Sequence, residues 1–152
     1  MGNLADVRKV LELVLPGLID PESIALLERG LTSKGGDDGF INSPSRARVI
    51  RWFSVRRNGF AIVPGAVLLR RGAIWRTLVV VPAARMQSVA LHQGPILRRL
   101  RLAGLRLHTV AGPVMPYLGA IDADAAVMAF GDISDTAVQS AGTDTSHRWR
   151  TV

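Results

Sequence analysis

Cysteine is absent from all 152 residues, which excludes a disulfide framework and a thiolate metal site. Aromatic residues make up only 5% of the chain against 48% hydrophobic content, so its core has to be aliphatic, and there is enough apolar material for one sizeable core. No run of about 18 apolar residues occurs, the length a membrane-spanning helix needs. The nearest approach, residues 10–19, is interrupted by Glu12 and Pro16. The amino terminus lacks the order of a secretory signal because Asp6 and Glu12 break it, and Asp6 stands where N-myristoylation requires Ser or Thr. The chain as it stands is expected to be soluble.

Charge of one sign is missing from the middle of the sequence. Between Phe40 and Ile121 there are thirteen arginines and no Asp, Glu or Lys. Residues 1–38 hold four bases and seven acids, and residues 122–152 hold two arginines and five acids, so the overall charge of +7 sits in one basic block between two acidic flanks.

What is present reads as strands between helices. Apolar residues at Leu4, Val7, Val10, Leu11, Val14 and Leu15 have the spacing of one helical face, stopped by Pro16 and Gly17. Asp20, Pro21 and Glu22 give an N-cap, a favoured first residue and an early acid, predicting a short helix over residues 21–29 that Gly30 ends. Residues 32–45, with Gly35, Gly36, Gly39 and Pro44, read as a linker. Strands are expected over 59–63 and 66–71 around the turn Pro64-Gly65, then over 74–81, 86–93, 105–109 and 114–118. Asp122 caps a final helix with Ala126, Val127, Phe130, Ile133 and Ala137 on one face. The expected organisation is a helical segment over 1–31, a linker over 32–45, a sheet domain over 46–140 and a polar tail over 141–152.

Catalytic material is thin. The histidines are His92, His108 and His147, and none has an acid three or four residues after it. No zinc-type spacing occurs, and no glycine-rich phosphate loop. The sheet region holds no carboxylate, while Asp122 and Asp124 are explained as helix-start residues. The chain is read as a non-enzyme without a cofactor or metal.

Trp52-Phe53-Ser54, Arg56-Arg57-Asn58-Gly59, the valine run ending at Pro82, residues 85–89, Gln93-Gly94-Pro95 with Arg98-Arg99-Leu100, and Gly112-Pro113 occur in an order that resembles the carboxy-terminal domain of bacterial pleckstrin-homology proteins of the YdbS/YdbT-like family, in an actinobacterial form. The resemblance covers roughly residues 46–130. It implies a mainly β, α+β fold: bent antiparallel sheets or an open barrel, closed by a carboxy-terminal helix and here preceded by a short helical segment. It also implies relatives that are multi-domain membrane proteins, so the chain is read as a piece of one, at the cytoplasmic face of the cell membrane. It implies no enzymatic activity.

The arginines carry the functional expectation. Each base near an anionic bilayer surface contributes about 1 kcal/mol, and Arg70, Arg71, Arg76, Arg98, Arg99 and Arg101 are the candidate contacts. The plainer reading is a set of solvated guanidinium groups, some paired to acids of the flanking helices. The leading expectation is a membrane-proximal scaffold or protein-interaction module, its partner an anionic membrane surface, an acidic protein or other domains of a longer protein. A specific lipid-headgroup or small-ligand domain is the alternative, although the turn Val63-Pro64-Gly65-Ala66 is uncharged. Nucleic acid comes third, because no recognition motif or interleaved aromatic pattern is present and Trp52, Trp75 and Phe60 are read as core or interface residues. An edge strand could also pair with a second copy.

Overall fold

The computed structural model describes residues 20–36, 39–52, 55–72, 77–109 and 116–143, with Lys9 and Leu13 as isolated positions. The amphipathic stretch over residues 4–15, Trp75, Arg76, Val114, Gly112-Pro113 and the tail beyond residue 143 therefore lie outside the described residues.

Helix α1, Pro21–Thr32, starts as its residue types require: the Asp20 carboxylate accepts the Ser23 amide at 2.8 Å and Pro21 takes the first helical position. Gly30 does not end it. The Arg57 guanidinium reaches the carbonyls of Gly30 at 2.7 Å, Leu31 at 3.1 Å and Ser33 at 2.8 Å, so the helix continues to Thr32 with its last acceptors satisfied by a cation. Strand β1, Ile41–Asn42, falls inside the stretch read as a linker and pairs with β2, Gly59–Val63. Between them runs the short helix α2, Arg48–Arg51. Strands β3, Ala66–Arg71, and β4, Thr77–Pro82, complete an antiparallel sheet in the order β1-β2-β3-β4. Strand β5, Met86–His92, helix α3, Pro95–Arg99, and strands β6, Leu102–Thr109, and β7, Tyr117–Asp122, form a second antiparallel sheet in the order β5-β6-β7. Helix α4, Ala123–Thr143, follows directly.

Period-2 alternation explains how the layers meet. On β3, Val67 and Leu69 face the second sheet and join Phe60, Val81, Leu105, Leu118, Ile121 and the α4 residues Ala126, Ala129 and Ile133 in the main core. Ala66 and Leu68 face the other way, toward Leu27 of α1 and Phe40. Strand β4 divides likewise, Val79 and Val81 to the main core and Leu78 and Val80 to the α1 side, which is why its apolar run needs cover on both faces. Ala47, Val55, Leu102 and Ala120 make a third, smaller cluster, against which Leu97 and Leu100 pack. The result is the expected α+β arrangement of two antiparallel sheets with a helix before and after them, and no closed barrel among the described strands.

Two expectations about side chains fail. Val127 and Phe130 were placed on the buried face of α4 but are 61% and 38% exposed; Ala126, Ala129 and Ile133 face inward instead. Small side chains at the contact let α4 lie close to the sheet, leaving the bulkier ones outside. The last strand runs from Tyr117 to Asp122 where the sequence suggested 114–118, and α2 and α3 were not foreseen as helices.

Candidate interaction surface

The thirteen arginines of the middle stretch do not share one environment. Arg70, expected at a membrane surface, is fully buried, which corrects that assignment. It lies on the α1 side of β3, in register with Ala66 and Leu68, where its Nε donates to the Arg57 carbonyl at 3.2 Å and its Nη2 to Asn42 Oδ1 at 2.6 Å. Arg57 is also buried, at the end of α1. Arg71 is half-buried and donates to the Tyr117 carbonyl at 3.2 Å, tying β3 to β7. Asn58 makes a parallel tie between the sheets through the Gly119 carbonyl at 2.6 Å. Arg76 lies outside the described residues.

Arg98, Arg99 and Arg101 are brought together and exposed by α3 and the turn into β6. Gly94 precedes Pro95 at the first helical position, and the Arg98 amide bonds the Gly94 carbonyl at 2.9 Å. The turn closes through Arg101, whose φ of 51° lies in the left-handed region that side chains other than glycine seldom adopt. Its carbonyl is held there by two donors, the Ala123 amide at 3.1 Å and Arg46 Nη2 at 3.2 Å.

Arg46 is the link to α2. Its Nε donates to the Leu100 carbonyl at 2.9 Å, and its guanidinium also forms an ion pair with Asp122. Burial alone would raise the Asp122 pKa, but the Ala125 amide, the Arg46 guanidinium and the Asp124 amide together hold it below the ordinary carboxylate value. Asp122 thus caps α4 and anchors the loop carrying α2.

Between α2 and α3 runs a groove of about 610 Å³, lined by Val49, Ile50, His92, Pro95, Ile96 and Tyr117 among others. Tyr117 lies across two glycines: a Cβ on Gly104 or Gly119 would come within 2.7 or 2.8 Å of its Oη. Arg106 stands over the same ring, 5.8 Å from its centroid. Two of the lining residues are apolar and largely exposed, Val49 at 77% and Ile96 at 67%, and Trp52, which follows α2, is 72% exposed. Trp52 is therefore not a core residue, whereas Phe60 is fully buried. Arg46, Arg48, Val49 and Ile96 were not singled out in the sequence; Gly94-Pro95 as a helix start was the available signal for α3. A second cavity of about 560 Å³, between α1 and β2, has the acids Asp20, Glu22 and Asp132 and the base Arg29 in its lining. Among the described residues no His, Cys, Asp and Glu cluster could hold a metal ion.

Residues 38–135 match the family model described as bacterial PH domain. The chain belongs to the bacterial PH domain family. The matched span begins before β1 and ends within α4, so it takes in both sheets and the groove. No curated protein and no solved structure matches the chain. Bacterial PH domains are generally non-catalytic binding modules, of a class that commonly engages lipids or proteins. Among the described residues no helix is long and apolar enough to cross a membrane.

Proposed function

We propose that this bacterial PH domain is a membrane-proximal scaffold whose basic face, formed by Arg98, Arg99 and Arg101 with Arg46 and Arg48 across the groove, rests on an anionic bilayer surface. The observation that carries the reading is the exposure of all three arginines at one turn, on backbone fixed by Arg46 and Ala123. Asp122 already pairs with Arg46, so Arg46 contributes less than the other four. The cytoplasmic leaflet supplies the matching charge, and its attraction falls off within a Debye length.

Co-sedimentation with neutral and anionic vesicles across a salt series tests this. The chain is expected to bind the anionic vesicles at low salt, to release them as salt rises, and to ignore neutral ones. Replacing Arg98, Arg99 and Arg101 by Ser removes about 3 kcal/mol of surface attraction, a loss of roughly 100-fold. No binding at low salt, or a triple variant that binds like the parent, sinks the proposal.

A further inference from the structure

We infer that the exposed apolar residues of α2 and α3, Val49 and Ile96 in the groove and Trp52 beside Val49, enter the bilayer below its headgroups, so that the partner is a fluid anionic membrane and not a soluble headgroup. This rests on the proposed membrane-facing role of the neighbouring arginines and adds a depth of insertion to it.

The two short helices are amphipathic in a consistent sense. Beneath them Ala47 is buried in the third cluster and Leu97 packs against it, which fixes their inner sides. Their outer sides carry Val49, Ile50, Trp52 and Ile96, exposed by 77, 42, 72 and 67%. Val49 and Trp52 are three residues apart on one helical turn, so they share a side, and Val49 lines the same groove as Ile96. Contiguous exposed apolar groups rimmed by polar ones mark interaction surfaces. The arginines of the same two helices, Arg48, Arg98 and Arg99, are exposed as well. Exposed apolar groups on elements that also expose arginines, with a tryptophan among them, complement the layering of an anionic membrane, where phosphates surround hydrocarbon and tryptophan favours the boundary. A second exposed apolar set exists on α4, where Val127, Met128 and Val138 are 61, 70 and 73% exposed, but there the interspersed charges are Asp124, Asp132 and Asp135. That surface would be repelled by the same lipids, which makes it an internal control.

The absence of cysteine allows one environment-sensitive dye to be placed anywhere in the full chain. Ile96→Cys and, separately, Val138→Cys are labelled and mixed with vesicles of phosphatidylcholine and phosphatidylserine, with and without acyl-chain spin labels. The dye at position 96 is expected to shift to the blue and be quenched by spin labels near the headgroups, while the dye at 138 stays unchanged. In unlabelled protein, Val49→Ser with Ile96→Ser keeps the charge and is expected to weaken binding at least tenfold, on the order expected for two side chains withdrawn from an apolar phase. Soluble glycerophosphoserine is expected not to displace the chain.

Vesicle binding without a change at position 96, a serine variant as tight as the parent, or displacement by the soluble headgroup each overturns insertion while leaving the arginine reading intact. A chain that ignores anionic vesicles altogether removes both. A chain that ignores vesicles but shifts the dye at position 96 on an acidic amphipathic peptide replaces the bilayer with a protein partner.

Discussion

Arg70 lies over the ring of Phe40, its Cζ 4.4 Å from the ring centroid, inside the layer between α1 and the first sheet. The cation is thus held by an aromatic face and by neutral oxygens of Arg57 and Asn42, and it is fully buried. Replacing it with methionine keeps the apolar stem and removes those partners. The expected loss is about 2 kcal/mol or more, because the Arg57 carbonyl and Asn42 Oδ1 lose this donor at a cost of about 1–3 kcal/mol for each acceptor left unsatisfied. Urea unfolding measures it. Vesicle affinity of the folded variant is expected to stay within about twofold of the parent, since a fully buried guanidinium makes no contact with a headgroup. A variant as stable as the parent would show that Arg70 does not staple this layer.

Arg101 separates stability from binding in the opposite direction. Its left-handed backbone costs about 1–2 kcal/mol for a residue with a Cβ, and glycine removes that cost while adding about 0.5–1 kcal/mol of unfolded-state entropy. Arg101→Gly is therefore expected to leave thermal stability equal or slightly higher. Loss of one base is expected to weaken anionic vesicle binding about fivefold. A drop in melting temperature would mean that the Arg101 side chain supports the fold as well as the surface.

Asp122 makes the turn sensitive to acid. Because its folded-state pKa is depressed, its contribution is fully present above the unfolded value, near 3.8, and is lost as pH falls through the lower folded value. Asp122→Asn keeps a good N-cap for α4 but not the charge. The variant is expected to show a shallower decline of stability in that acid window. At neutral pH it frees Arg46, and vesicle affinity should rise by up to about fivefold. Unfolding midpoints from pH 2 to 7, with co-sedimentation at pH 7, check both; an unchanged acid limb would detach Asp122 from the stability of this turn.

Several elements could be read before any coordinates. The Asp20-Pro21 start, the Pro64-Gly65 hairpin, the alternation of Leu105, Arg106, Leu107 and His108, and the Asp122 cap depend on the nearest few residues, and the structure has them where local chemistry puts them. Helix α3 was hidden because its five residues give no periodic signal, and β1 because two residues between Gly39 and Pro44 look like loop.

By itself, then, the sequence determined the α+β class, most of the strands and the concentration of positive charge in the sheet domain, since each follows from patterning along the chain. Which arginines face outward was decided by the tertiary structure. Arg57 and Arg70 are no different in local sequence from Arg98 and Arg99, all of them in adjacent pairs of arginines. What separates them is that α1 folds over the first sheet and supplies carbonyls to Arg57, and Phe40, just before β1, supplies a ring to Arg70, while α3 stands at a turn where nothing described covers Arg98 and Arg99. Burial of a charge depends on partners distant in sequence, and only the packed layers bring those partners together.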